Sequence, residues 1–149
     1  MKIYPKVVDT FSLEAIYKCP EVLFNGVNSD KRKKIEFYNE NGHFIGGVSI
    51  MIEEFDFFFN SMSLTNIQIP LSKYCMYIEA FEVSRKLKHQ GYGRLMIDCI
   101  EKTLEKTPVD YIILQHRDEE DDYGISKKFW EQMGYNHSDN EHYMIKKLK

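Results

Sequence analysis

The 149-residue sequence has little that would suit a disulfide scaffold, a zinc site or a membrane span. Its three cysteines, Cys19, Cys75 and Cys99, are an odd number, form no C-x-x-C pair and stand near no histidine at zinc spacing. Reduced thiols in a cytoplasmic protein are the simplest account of them. Cys99 falls on the apolar face of a helical pattern and Cys75 in a strand-like run, which marks both as core residues. No apolar run approaches the roughly 20 residues that span a bilayer. Met1 to Pro5 has neither the apolar core nor the small-residue cleavage site of a signal peptide. Charge of one sign is also missing. A net charge of −3 gives no overall basic field, so neither nucleic acid nor membrane is expected as a partner. The one dense basic run, Lys31-Arg32-Lys33-Lys34, reads as the solvated lead-in to a strand. Repeats and linkers are absent as well.

What is present suits a single domain over residues 1–149. Hydrophobic residues make up 43% and charged residues 29%, a balance that argues against disorder. Ile3 to Val8 predicts a first strand, with Pro5 suited to an edge. Ser12 caps a short helical pattern through Leu13, Ile16 and Tyr17. Residues from Lys34 to Ile52 read as a β-hairpin turning at Asn41-Gly42, and Gly46-Gly47 within it suggests a bulge or a close approach. Phe55-Asp56-Phe57-Phe58-Phe59 either extends that strand or forms a cleft wall or dimer contact, which leaves monomer and homodimer both open.

The chain is organised around residues 76–104. Met76 to Val83 predicts a strand, and Leu95 to Leu104 has helical spacing. Between them lies Lys88-His89-Gln90-Gly91-Tyr92-Gly93-Arg94. Glycines at such a turn let a ligand approach the backbone closely. The helix start that follows offers unpaired N–H donors and a positive dipole end, the makings of an anion site. Tyr111 to Leu114 is a short apolar run suited to a central strand, so strand, helix and strand imply a right-handed parallel crossover. The acidic run Asp118 to Asp122, a helix from Ser126 closed by Gly134, and a last strand at Tyr143-Met144-Ile145 complete the pattern. The acidic run is a solvated loop or an attractor of cationic substrates.

These residues together resemble the GCN5-related N-acetyltransferase (GNAT) superfamily. The turn Lys88-His89-Gln90-Gly91-Tyr92-Gly93 resembles the family's Arg/Gln-x-x-Gly-x-Gly/Ala, with a strand ending in Val83 before it. Phe129-Trp130-Glu131-Gln132-Met133-Gly134-Tyr135 resembles the family's aromatic helix closing on Gly-Phe. The resemblance implies a single-domain α/β GNAT fold: a mixed, mostly antiparallel sheet of six to seven strands, flanked by helices and splayed at its centre. It implies acetyl-CoA as cosubstrate and transfer of its acetyl group to a primary amine of a small molecule or peptide. A non-catalytic CoA-binding module is the alternative. By the same resemblance, backbone N–H groups from Lys88 through His89, Gln90, Gly91, Tyr92 and Gly93 to Arg94 hold the pyrophosphate. Phe81, Glu82 and Val83 run beside the pantetheine arm, and Trp130 completes the cofactor contacts.

An amine of the lysine type, with a pKa of about 10.4, must lose a proton before it attacks. A carboxylate is suited to accept that proton. Glu82 and Glu79 lie on the implied strand; three apart, they point to opposite faces unless a bulge intervenes. Glu82 is preferred because it sits beside the implied thioester. Trp130 stands where many relatives carry a proton-donating tyrosine, so Tyr123 or Tyr135 is the substitute acid, unless solvent serves. His116 is a further candidate base.

Overall fold

The computed structural model describes residues 2–7, 32–54, 74–115, 127–137 and 143–149. They form one seven-stranded mixed sheet. In chain order the strands are β1 (Tyr4–Val7), β2 (Arg32–Tyr38), β3 (Phe44–Glu54), β4 (Tyr74–Val83), β5 (Val109–Gln115), β6 (Asn136–His137) and β7 (Tyr143–Lys147). Helix α1 (Tyr92–Leu104) joins β4 to β5, and α2 (Lys127–Gln132) precedes β6. The spatial order is β1-β2-β3-β4-β5-β7-β6. Only β4 and β5 run parallel, as the strand–helix–strand pattern predicts.

The edges obey the sequence. β1 pairs only with β2, which leaves room for Pro5 at a strand edge. Asn39 Oδ1 accepts the N–H groups of Asn41 and His43, both at 2.9 Å, and Gly42 takes φ 77°, so the hairpin turns where Asn41-Gly42 predicts. One expectation shifts: Arg32, Lys33 and Lys34 are not a lead-in but the first residues of β2 itself.

Alternation puts Ile35, Phe37, Val48, Ile50, Met76 and Ile78 on the face that α1 covers with Met96, Ile97, Ile100 and Leu104. Cys75, Tyr77 and Ile113 lie on the other face, beside Met51, Tyr111, Tyr143 and Ile145. Helix α1 stops where Thr107 takes over. Its N–H and its Oγ1 both donate to Leu104 O, and Oγ1 then accepts from Val109 N at the start of β5. Helix α2 ends in a Schellman motif: Tyr135 N–H bonds Trp130 O, Gly134 N–H bonds Glu131 O, and Gly134 takes φ 89°. Its ring contact is Trp130 on Tyr135, with centroids 5.1 Å apart. Lys146 locks this corner by donating to Glu101 on α1 and to Met133 O.

Among the described residues, no helix is long and apolar enough to cross a membrane.

Candidate functional site

The site is built on a change of partner along β4. Tyr74 to Ile78 pair with β3 on one side and β5 on the other, the last parallel pair being Ile78 with Leu114. Glu79 to Val83 continue against β3, but β5 no longer follows them. The sheet therefore splays between β4 and β5, and among the described residues no strand pairs with that edge of β4 beyond Ile78. Ser84 N–H donates to Ile45 O at 2.7 Å, so alternation aims the polar groups of Glu82 at β3 as well. The N–H and C=O groups of Phe81 and Val83 then face the open edge, where an extended amide-containing chain fits as an added strand.

A bulge sits at the start of the splay. Ser49 pairs with Ala80 and Ile50 with Ile78, which leaves Glu79 as the extra residue on β4. The inserted residue reverses the phase of alternation. Phe81 and Val83 thus join Met76 and Ile78 in the helix-covered core, while Glu79 and Ala80 are both exposed. Glu82 then lies on the same face as Glu79 and Tyr77. Glu82 Oε1 and Lys34 Cε flank the bare Cα of Gly47, 3.6 and 3.4 Å from where a Cβ would stand. The two carboxylates share the face opposite α1, the outcome that spacing alone permits only with a bulge.

The neighbouring glycine explains the tight pairing. A Cβ at Gly46 would lie 2.2 Å from Glu82 O, so no other residue fits there without moving a strand. The close approach predicted for Gly46-Gly47 is real, and an extra residue at Ile45, between the pairs Phe37–Gly46 and Tyr38–Phe44, adds the bulge.

The turn after β4 begins with a short 3-10 helix, Arg85–Leu87, and then bends through two left-handed residues, His89 at φ 61° and Gly91 at φ 89°. Histidine at positive φ is uncommon and costs on the order of 1 kcal/mol. Gly91 is the N-cap of α1. The first helical hydrogen bond runs from Leu95 N to Gly91 O, so the N–H groups of Tyr92, Gly93 and Arg94 lie ahead of the ladder. A left-handed turn feeding three such donors makes a concave anion seat. Lys88, half-buried, and Arg94, exposed, flank it, and Gln90 braces it by donating from Nε2 to Lys86 O at 3.2 Å. A diphosphate fits these groups. Gly93 serves a second purpose: a Cβ there would meet the Phe129 ring at 3.3 Å, so the small residue lets α2 pack against the turn.

The aromatic residues divide by role. Trp130 is 4% exposed, set edge-on against Phe81 (5.2 Å), Phe129 (5.0 Å) and Tyr135. Its ring braces the floor under Phe81 and offers no proton donor to a leaving thiolate. Tyr135 is buried and gives its hydroxyl to Glu101 Oε1 at 3.1 Å. Burial and that carboxylate both raise its pKa, so its proton is committed to the α1 corner. Tyr123, His116, the acidic run and Phe55 to Phe59 lie outside the described residues.

Composition and spacing did not single out Tyr77. It shares the carboxylate face, and its phenol is pushed up to about 12 by burial, then by Tyr143 and by Glu79. Tyr143 lies on the same face, opposite Gln115 at the end of β5 where the sheet opens. The signal was available in the strand itself: Tyr77 and Glu79 are two apart, so alternation alone puts them on one face.

A model of the acetyltransferase (GNAT) family matches residues 7–135. Among curated proteins nothing matches. Solved structures that share the fold include the following three. A KacTA–DNA complex is 10% identical, with 99% of this chain and 94% of that chain covered at a TM-score of 0.61. AtaT complexed with acetyl-methionyl-tRNAfMet is 10% identical, with 98% and 95% covered at 0.56. An acetyltransferase from Bacillus cereus ATCC 14579 is 17% identical, with 78% and 72% covered at 0.52. These likenesses overturn one expectation. Nucleic acid was excluded on net charge, yet proteins of this fold occur in complexes with DNA and tRNA. A charge of −3 is a sum over the whole surface, whereas nucleic-acid contact is decided by local patches and by partner subunits.

Proposed function

The chain belongs to the acetyltransferase (GNAT) family and is an N-acetyltransferase using acetyl-CoA. From that premise we propose that it acetylates a primary amine entering on the Glu79–Glu82 face of the sheet. The observation that carries this reading is the bulge at Glu79, which brings both carboxylates to one face beside the open β4 edge.

In this reading the N–H groups from Gly91 to Arg94 seat the diphosphate, and Phe81 and Val83 pair with the pantetheine amides. Bound acetyl-CoA supplies an activated thioester. The amine forms the new C–N bond as the C–S bond breaks. Glu82 takes the proton the amine must lose, directly or through one water, with Glu79 as the second acceptor on that face. Tyr143 or Tyr77 returns a proton to the thiolate, since Trp130 and Tyr135 do not face the cleft.

The acceptor class is open to test. Since AtaT is seen in complex with acetyl-methionyl-tRNAfMet, aminoacyl-tRNA joins the small-molecule and peptide amines as a third candidate acceptor class. Thiol release from acetyl-CoA is to be followed against a panel holding all three. Turnover with one class is expected, with Glu82→Gln lowering kcat by about 10²-fold or more. Acetyl-CoA that stabilises the protein thermally while no amine releases thiol would leave a CoA-binding module instead.

A further inference from the structure

Tyr4 and Phe44 are the exposed large hydrophobic residues among those described, at 51% and 40%. They are not scattered. Tyr4 pairs with Tyr38 across β1 and β2, and Tyr38 pairs with Phe44 across β2 and β3. Residues opposite each other in antiparallel strands point the same way, so the three rings form one row on the face away from α1. Tyr38 and Phe44 meet edge to face with centroids 6.0 Å apart. Tyr38 donates its hydroxyl to Glu36, which fixes the middle ring and raises its pKa. Exposed Lys2 and Lys6 stand two residues either side of Tyr4.

Single exposed apolar residues need no explanation, but an aromatic row across three strands does. Its flanks decide what it fits. Lysine is depleted in protein–protein interfaces, which argues against a second copy of the chain or another protein. Aromatic rings on an open sheet with lysines beside them are the arrangement that stacks unpaired bases and neutralises their phosphates. We propose that the row Tyr4–Tyr38–Phe44, with Lys2 and Lys6, is a docking platform for single-stranded nucleic acid. The next row of the same face is Lys6, Glu36, Gly47 and Glu82, so a strand held on the platform lies beside the proposed acceptor side of β4. The carboxylates of that row repel phosphate and hold the backbone to the lysine edge.

The platform is tested by binding alone, without acetyl-CoA, so that its failure is distinct from failure of the acetylation reading. Fluorescence anisotropy of labelled 12-nucleotide oligouridine, oligothymidine and a duplex of equal length is the measurement. Single strands are expected to bind, with Kd weakened about 10-fold by Tyr4→Ala and again by Phe44→Ala. Tyr4→Phe keeps the ring and retains affinity. Lys6→Gln lowers the slope of log K against log salt by about 0.7. Tighter oligouridine assigns RNA, and equal or tighter oligothymidine assigns single strands generally. Thermal stabilisation by acetyl-CoA reports that each variant is folded; should an alanine variant lose it, Tyr4→Phe and Lys6→Gln carry the comparison. Unchanged affinity in the double alanine variant overturns the proposal. So does duplex binding as tight as single-strand binding, or self-association that Phe44→Ala abolishes.

Discussion

The two halves of β4 have one strand's worth of sequence and two different environments. Tyr74 to Ile78 is held from both sides, and four of its five residues are buried. Glu79 to Val83 is held from one side, with Glu79 and Ala80 exposed and Phe81 and Val83 buried around half-buried Glu82. The first half is a scaffold. The second offers a strand edge that β5 does not cover and two carboxylates. The single residue that divides them is Glu79, and three experiments break or sharpen the contrast.

Phe81→Ala has the largest expected effect. The extra residue at Glu79 turns Phe81 into the core, where its ring lies 5.8 Å from Phe129 and 5.2 Å from Trp130. Truncating such a buried ring costs about 4 kcal/mol. Urea denaturation should show that loss. A Phe81→Ala variant of normal stability would mean that the bulge does not set the phase of the second half.

Gly46→Ala comes next. The new methyl must displace Glu82 O, which it would approach at 2.2 Å, and it crowds Met96 at 3.0 Å. Overpacking against backbone costs about 3 kcal/mol. The damage should concentrate in the second half, whose strand partner is β3, while Tyr74 to Ile78 retain β5. Amide exchange resolves this: Phe81 to Val83 should lose protection before Met76 to Ile78 do. Uniform loss along β4 would contradict the division.

How much of this could be read from the chain follows the same line. The scaffold half was legible, because its apolar run, the helix after it and the apolar run of β5 are local patterns that force a parallel crossover. The turn from β4 into α1 was legible for the same reason, with Gly91 taking the left-handed angle the turn requires. The face shared by Glu79 and Glu82 was not, because it depends on one extra residue whose bulge is set by β3 and not by β4 alone. Trp130 is expected as a cofactor contact; that its ring also packs on Phe81, Phe129 and Tyr135 depends on β4 and α2 meeting, which no local pattern shows. Tyr4 and Phe44 lie 40 positions apart, so their row exists only in the register of three strands.

Alkaline pH gives the smallest and most selective effect, and it strikes the scaffold half. Cys75 is fully buried, and burial, with Asp110 nearby, lifts its thiol from an ordinary 9.0 to about 12. Tyr77 rises from 10.0 to about 12 through burial, Tyr143 and Glu79. The unfolded chain gives up these protons near pH 9 and pH 10, while the folded chain keeps both up to about 12. Stability is therefore complete below pH 9 and falls as pH climbs, by about 1.4 kcal/mol per pH unit for each group once its unfolded value is passed. Thermal melts from pH 7 to pH 10 should show this decline, about 1.4 kcal/mol of it from Cys75 at the upper end. Cys75→Ala should be less stable at pH 7, because it leaves a cavity, yet flatter between pH 9 and pH 10. An equal slope in variant and parent would remove Cys75 as the cause. The window also overlaps the one in which amines of pKa about 10.4 lose their protons and become nucleophiles. Raising pH thus strengthens the acceptor while loosening the half of β4 that holds the site in place. The measured optimum for acetyl transfer should fall below the pH at which the amine alone would react fastest.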